Sequence, residues 1–254
     1  MSEIEIRQFG CRSDNFGVLV HRGETTISID APEEKPILDA LSEAGWTLTH
    51  ILTTHHHRDH VDANEALKAR FGAKIIGPKE EASKIPGLDE AVGGGARLDI
   101  GGIEVEVIDT PGHTLGEVSY YLPEAKALFA ADALFSLGCG RLFEGDPAMM
   151  WDSLKRLREL PDDTMLYCGH EYTATNVRCA LALDPDNLLL KERATEVEHL
   201  RAAGKPTLPV ELGREKRTNP FLRADDAEFQ KAVGMEGEDP VAVFAHARKT
   251  RDGY

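Results

Sequence analysis

Residues 53–60 read Thr53-Thr54-His55-His56-His57-Arg58-Asp59-His60, with four histidines and one aspartate in six consecutive positions. The apolar and β-branched run Leu48–Thr54 predicts a buried strand that ends where this cluster begins. Imidazole and carboxylate groups are ligands for divalent metal ions. The stretch therefore indicates a metal site at the end of a strand, with a solvated loop or an adventitious metal clip as the plainer alternative.

Three further candidate ligands occupy the same kind of position. His113, Asp132 and His170 each follow a predicted strand; these strands are Ile103–Asp109, Ala127–Ala131 and Met165–Cys168. The ends of such strands can lie on one rim of a layered sheet, so we expect these side chains to converge with residues 55–60. Taken singly, His113 or His170 would more often be a structural histidine than a ligand.

The number of candidates favours two metal ions. Five histidines and two aspartates exceed what one tetrahedral ion takes. Two ions that share a carboxylate and a water lie about 3.5–4 Å apart and lower the pKa of that water towards ~7. We expect the side chain of His56 to point away from its neighbours, so it is not counted as a ligand. The remaining histidines have no comparable setting and are expected at the surface or in packing; they are His21, His50, His199 and His246.

The predicted elements change in character after His170. Strands alternate with helices over roughly the first 170 residues, including a hairpin around Arg22-Gly23-Glu24 and a helix over Asn64–Phe71. Helices dominate the rest of the chain, and we predict them over Thr173–Ala182, Asp186–Ala203, Asp226–Val233 and Pro240–Arg248. The pattern predicts one α/β domain followed by a helical one.

Composition excludes some classes of function. The 254 residues include 29 Lys and Arg against 44 Asp and Glu, which gives a net charge of −15. Nucleic acids and membrane surfaces are themselves anionic, so we expect neither as a partner. The N-terminal stretch shows no signal-peptide pattern, and the four cysteines form no CxxC pair, so we expect free thiols in a cytoplasmic protein and no zinc site built on cysteine.

The ligand pattern resembles that of the metallo-β-lactamase superfamily, whose H-x-H-x-D-H signature stands here at residues 55–60. Gly138–Gly145 (GCGRLFEG), Cys168–Thr173 (CGHEYT) and Asn219–Arg223 (NPFLR) are similar to stretches of the glyoxalase II, or hydroxyacylglutathione hydrolase, family. This resemblance implies an α/β (α+β) fold: a four-layer αββα sandwich with a C-terminal helical domain. We expect the catalytic domain over residues 1–172 and the helical, substrate-binding domain over 173–254.

The resemblance also implies roles for individual residues. His55, His57 and His113 would hold one divalent ion, Asp59, His60 and His170 a second, and Asp132 would bridge them. Zinc is the expected metal, with iron or manganese as alternatives. The residues implied in glutathione binding are Arg141, Phe143, Tyr172, Arg214 and Lys216. Many relatives have lysine in place of Arg141 and tyrosine in place of Phe143.

The expected reaction is hydrolysis of S-(2-hydroxyacyl)glutathione, chiefly S-D-lactoylglutathione, to glutathione and D-lactate, the second step of methylglyoxal detoxification. A metal-bridging hydroxide oriented by Asp59 would attack the thioester, with Asp132 holding both ions. The chain is expected to act as a monomer. The alternatives are another hydrolase of this fold, such as a lactonase or a different thioesterase, and a non-enzymatic metal-binding protein.

Overall fold

The computed structural model describes residues 2–254, which form two compact units. The first unit runs to Thr110 and includes Leu115–Ala130. The second unit combines the short segment Pro111–Thr114 with Ala131–Tyr254. None of the helices in the described part of the chain has the length and apolarity that crossing a bilayer requires.

The first unit contains a sheet with the strand order β1-β2-β3-β4-β5-β6. Its first three strands are antiparallel, and β3 to β6 run parallel. The strands are β1 (Glu5–Cys11), β2 (Asn15–Arg22), β3 (Thr25–Ile29), β4 (His50–Leu52), β5 (Lys74–Pro78) and β6 (Glu90–Val92). The helices between them are α1 (Glu34–Ala44), α2 (Arg58–Val61) and α3 (Asn64–Phe71). A 3₁₀ turn, Lys79–Lys84, precedes β6.

Four more strands of the first unit pair antiparallel in the order β10-β9-β8-β7. They are β7 (Arg97–Ile100), β8 (Ile103–Asp109), β9 (Val118–Leu122) and β10 (Ala127–Phe129). Helix α1 ends at Gly45, whose φ of 70° is a conformation that glycine adopts without strain. Ile37 and Leu41 of α1 are buried in the core of this unit, as the helical spacing predicts.

The second unit is mainly helical. Its strands are short: β11 (Leu134–Phe135) pairs with β12 (Gly138–Cys139), and β13 (Met165–Tyr167) pairs with β14 (Val210–Glu211). The helices are α4 (Pro147–Arg158), α5 (Thr173–Leu183), α6 (Leu188–Ala202), α7 (Leu212–Thr218), α8 (Ala227–Ala232) and α9 (Pro240–Arg251). A 3₁₀ turn, Pro220–Leu222, follows α7.

Candidate metal centre and substrate cavity

The first unit presents four of the predicted ligands on one short segment. Strand β4 ends at Leu52, and α2 begins at Arg58, so His55 and His57 lie in the turn between them. His55 Nε2 lies 3.1 Å from His57 Nδ1, and Asp59 Oδ2 lies 3.7 Å from His60 Nε2. Zn–N bonds of 2.0–2.1 Å in a tetrahedron place neighbouring ligand atoms about 3.3–3.4 Å apart. The spacing of these donor atoms therefore fits a metal ion.

The second unit presents the other three ligands. His113 Nε2 lies 3.4 Å from Asp132 Oδ2, and His170 Nε2 lies 3.4 Å from the other oxygen, Asp132 Oδ1. All three side chains are buried. One carboxylate that offers a different oxygen to each of two imidazoles has the arrangement of a bridging ligand between two ions. The donor set of this unit therefore fits the pair of metal ions that the sequence predicts.

Three of the predicted ligand histidines, His55, His60 and His113, have an Nδ1 atom in contact with a group that fixes the tautomer. His113 Nδ1 donates to the carbonyl of Arg141 at 2.8 Å, and His60 Nδ1 donates to Asp30 Oδ2 at 2.8 Å. His55 Nδ1 lies 3.0 Å from Thr54 Oγ1, whose own hydroxyl donates to Asp30. A hydrogen on Nδ1 leaves the Nε2 lone pair for a metal ion, which is the usual function of such outer partners.

Asp30 is a partner of a predicted metal ligand that the sequence motifs did not reveal. Its buried carboxylate accepts the Thr54 N–H at 2.7 Å and the Thr54 hydroxyl, in addition to His60. Its φ of 56° is uncommon outside glycine and occurs where surrounding contacts hold the backbone. The signal in the sequence is an acidic residue directly after the buried strand β3. Asn15 is a second outer partner, since its amide donates to Asp59 Oδ2 at 3.0 Å.

A cavity of about 270 Å³ in the second unit brings predicted metal ligands and predicted substrate residues together. His113 and Asp132 line it, as do the predicted Arg141, Phe143 and Tyr172. The Tyr172 ring stacks on His170 with centroids 4.8 Å apart, and the Phe143 ring lies 5.2 Å from His113. Phe143 is 61 % exposed, so its ring is available to a ligand.

The other two predicted substrate residues do not line this cavity. Arg214 pairs with Glu196 at 2.5 Å, and Lys216 donates to the carbonyl of Leu160 and to Asp162. Their part in glutathione binding stays a prediction.

Two arginines of α9, which no sequence motif singled out, do line the cavity. Arg248 is buried and donates to the carbonyl of Cys139 at 2.7 Å, so it also supports the cavity wall. Arg251 donates to Asn176, and burial together with the Arg248 charge lowers its pKa from the ordinary value. An anionic ligand would offset the repulsion between the Arg248 and Arg251 charges. The signal was the i, i+3 spacing, which places both guanidinium groups on one helix face.

Two family profiles cover most of the chain. Residues 23–170 match the metallo-β-lactamase superfamily, and residues 171–254 match the hydroxyacylglutathione hydrolase C-terminus. A hydroxyacylglutathione hydrolase of Rhizobium meliloti (strain 1021) is 59 % identical over 256 residues, which covers 100 % of both chains. One of Mesorhizobium japonicum is 58 % identical over 99 % of both chains.

The chain belongs to the hydroxyacylglutathione hydrolase family.

Solved structures confirm the fold expected for this family. ETHE1 from Myxococcus xanthus superposes with a TM-score of 0.68 at 26 % identity, covering 98 % of this chain and 100 % of that one. The BLEG-1 B3 metallo-β-lactamase superposes with a TM-score of 0.66 at 22 % identity. The match covers 86 % of this chain and 99 % of that one. The predicted metallo-β-lactamase fold with a helical C-terminal region is therefore confirmed. Membership of the hydroxyacylglutathione hydrolase family likewise confirms the predicted resemblance and enzyme class.

Proposed function

We propose that this enzyme hydrolyses the thioester of S-(2-hydroxyacyl)glutathione, chiefly S-D-lactoylglutathione, to glutathione and D-lactate, as in the second step of methylglyoxal detoxification. The observation that carries this proposal is the cavity in which His113 and Asp132 lie beside Arg141 and Arg251. Such a cavity combines ligands for a hydrolytic metal ion with cations for an anionic substrate. The full-length relationship to hydroxyacylglutathione hydrolases supports it.

We propose that seven residues hold two divalent metal ions. His55, His57 and His113 form one set, Asp59, His60 and His170 the other, and Asp132 is shared. The donor spacings in each unit and the two-sided contacts of Asp132 support this assignment. Zinc fits nitrogen and carboxylate ligands, as do iron and manganese. When bound, such ions supply a hydroxide at neutral pH and polarise the thioester carbonyl.

The cavity residues would bind the glutathione part of the substrate. Arg141 and Arg251 line the cavity and would bind its two carboxylates through charge-assisted hydrogen bonds, which are the stronger ones. Tyr172 and Phe143 flank the ligands His170 and His113, and would pack beside the peptide. Arg251 would thus add a cation to those that the sequence predicts, Arg214 and Lys216.

The reaction needs no strong general acid from the protein. The leaving group is a thiolate whose conjugate acid has a pKa of ~8.5, so it departs without one. Asp59 would orient the attacking water, and its own orientation is fixed by the Asn15 amide.

We further propose the domain boundary near residue 172, a monomer as the active form and a cytoplasmic location. The two family profiles meet between residues 170 and 171, which supports the boundary. All four cysteines are free and buried, which suits a reducing compartment.

The test is thioester hydrolysis by protein stripped of metal and then loaded separately with zinc, iron or manganese, with bound metal quantified. We expect S-D-lactoylglutathione to be cleaved after loading, with close to two ions per chain. The matched substrate is a lactoyl thioester of a simple thiol, which lacks both glutathione carboxylates and should be cleaved poorly. Cleavage of lactones or β-lactams with no cleavage of the glutathione thioester would overturn the proposal.

A further inference from the structure

The motif around Asn219-Pro220-Phe221 contains a buried carboxylate that the reaction does not use. Glu215 lies on α7, four residues before Asn219, and is 0 % exposed. Two of its hydrogen-bond partners lie on the segment 132–141, here called the Asp132 loop. That loop begins with the shared ligand Asp132 and contains the hairpin of β11 and β12.

The groups that face Glu215 all donate hydrogen bonds. The N–H of Leu137 lies 2.7 Å from Glu215 Oε2, and the Ser136 hydroxyl lies 2.8 Å from Oε1. The Asn219 amide nitrogen lies 3.1 Å from Oε2 and also donates to the carbonyls of Phe135 and Gly138. Arg193 donates to Ser136 Oγ at 3.3 Å, which directs the serine hydrogen towards Glu215. An acceptor-only carboxylate matches this set, and a neutral amide does not.

The turn that Glu215 holds is strained. Leu137 has a φ of 56°, a region that a leucine occupies only where other contacts hold it there. Glu215 and Asn219 together bond to the four residues at the tip of the hairpin, Phe135–Gly138. The two ends of the loop pack against each other, since a Cβ on Gly140 would lie 1.9 Å from the carbonyl oxygen of Asp132. The loop therefore has little freedom to move while these bonds persist.

The hairpin also reaches the predicted metal and substrate residues. The Phe135 ring packs edge-on against His170 at 6.0 Å and against Tyr172 at 5.4 Å. Phe135 and Cys139 line the same cavity as Asp132 and Arg141. A shift of the hairpin tip would therefore change both a ligand's packing and the cavity wall.

We infer that Glu215 is a positioning residue, which acts through the Asp132 loop to keep Asp132 and His170 in the geometry that metal binding requires. It touches neither substrate nor metal ligands. The inference rests on the proposed function only in its assumption that Asp132 and His170 bind metal.

The test is Glu215→Gln, which keeps side-chain size and replaces one acceptor oxygen by a donor. The matched control is Asp184→Asn, another buried acid of the second unit, which pairs with Arg223 and Asn187 instead of the Asp132 loop. We expect Glu215→Gln to weaken binding of the more loosely held zinc ion at least tenfold by chelator competition, and to lower kcat with little change in KM. Asp184→Asn should lose stability without either effect.

A metal-free measurement separates positioning from general destabilisation. Cys139 lies on the Asp132 loop and is buried, as are Cys11, Cys168 and Cys179 elsewhere. In the apo-protein, Glu215→Gln should speed alkylation of Cys139 severalfold over that of Cys11 and Cys179, read by mass spectrometry. Cys168 is not a reference thiol, because Ser136 of the loop hydrogen-bonds to it. Equal acceleration at Cys139, Cys11 and Cys179, or wild-type metal affinity in folded Glu215→Gln, would overturn the inference.

Ser136→Ala is the alternative variant if Glu215→Gln does not fold. It removes one of the three hydrogen bonds that Glu215 accepts and leaves the carboxylate itself in place. It should show the same selective labelling of Cys139 and a smaller loss of metal affinity; wild-type values for both would overturn the inference. Metal affinity and thiol labelling do not depend on thioester cleavage. An inactive wild-type protein would therefore defeat the proposed function while leaving the test of Glu215 intact.

Discussion

At the scale of single residues, the predicted metal ligands depend on the groups that hydrogen-bond to their outer ring nitrogens. The sequence predicts the ligands themselves, because imidazole groups clustered directly after a buried strand are typical of metal binding. It could not predict Asp30 or the carbonyl of Arg141, because a backbone acceptor carries no residue signature and a lone aspartate after a strand is common. These partners set which ring nitrogen of His60 and His113 is available.

Asp30→Asn tests this outer contact. One of the two acceptor oxygens becomes an NH₂ donor, so either Thr54 or His60 Nδ1 loses its acceptor. We expect zinc affinity to fall about 10- to 100-fold, the usual cost of losing such a partner. Chelator competition measures it. Asp62→Asn is the control, since Asp62 follows His60 by two residues but pairs with Arg12 and Arg58; an equal loss in both variants would contradict the prediction.

Arg251→Gln tests the cation of the substrate cavity. A charge-assisted contact contributes about 1.5–3 kcal/mol, so KM for S-D-lactoylglutathione should rise roughly 10- to 150-fold, and partial exposure favours the lower end. Steady-state kinetics on the glutathione thioester and on a simple thiol thioester separate the effect from a general loss of activity. Arg214→Gln should raise KM less, because Arg214 pairs with Glu196 outside the cavity. A larger rise for Arg214→Gln than for Arg251→Gln would contradict this ranking.

At the scale of elements, long periodic segments were predictable and short ones were not. Asn64–Phe71 and Ile103–Asp109 have the predicted bounds. The predicted strand Leu48–Thr54 is shorter, His50–Leu52, because the Thr54 N–H bonds to the Asp30 side chain instead of a neighbouring strand. Two-residue strands such as β11 and β12 have no periodicity to detect, although they shape the Asp132 loop.

Gly112→Ala tests how closely α4 approaches the His113 segment. Gly112 has a φ of 149°, and an added Cβ would lie 2.9 Å from the backbone of Met150 in α4. Helix and segment would have to separate, which should cost at least about 2 kcal/mol of unfolding free energy and weaken metal binding through His113. Urea unfolding and metal titration measure both. Gly204→Ala, at φ 67° with open space around it, should cost less and leave metal binding unchanged.

At the scale of the whole molecule, burial controls the thiols and surface ion pairs control the response to acid. Burial raises the pKa of Cys139 to about 11 and that of Cys11 to about 12. Ion pairs lower the pKa of several exposed carboxyls, among them Asp62, Asp152 and Asp225, each through hydrogen bonds from arginine or lysine. Glu215 is the opposite case, since burial raises its pKa.

The folded protein should be inert to a thiol reagent at pH 8. Thiolate is the reactive form, and the buried thiols remain protonated at that pH. We expect essentially none of the four cysteines to react with an aromatic disulfide reagent in the native state, and all four to react in guanidinium. Rapid reaction of a thiol in the native protein would show that its burial is incomplete.

Stability should fall in acid. A carboxyl whose pKa is lowered by folding contributes stability above its ordinary pKa and loses that contribution as the pH falls through the lowered value. The free energy of unfolding should therefore decrease from about pH 5 towards pH 3, measured by urea unfolding. Glu215 has the opposite effect on stability, because a carboxyl whose pKa is raised by folding stabilises the folded state at low pH. The paired carboxyls outnumber it, so the net effect of acid is a loss of stability. A flat profile would show that these exposed pairs contribute nothing.

The composition of the second unit has an evolutionary consequence. It unites the ligand-bearing segments, Pro111–Thr114 and the Asp132 loop, with the helices up to Tyr254, whereas the two family profiles meet near residue 170. A recombination at that point would bring a foreign C-terminal segment to a loop that depends on Glu215, Asn219 and Arg248. A lineage that exchanged this segment would need new supports for the loop. Substitutions at positions 136, 137, 215 and 219 should accordingly occur together when divergent branches are compared.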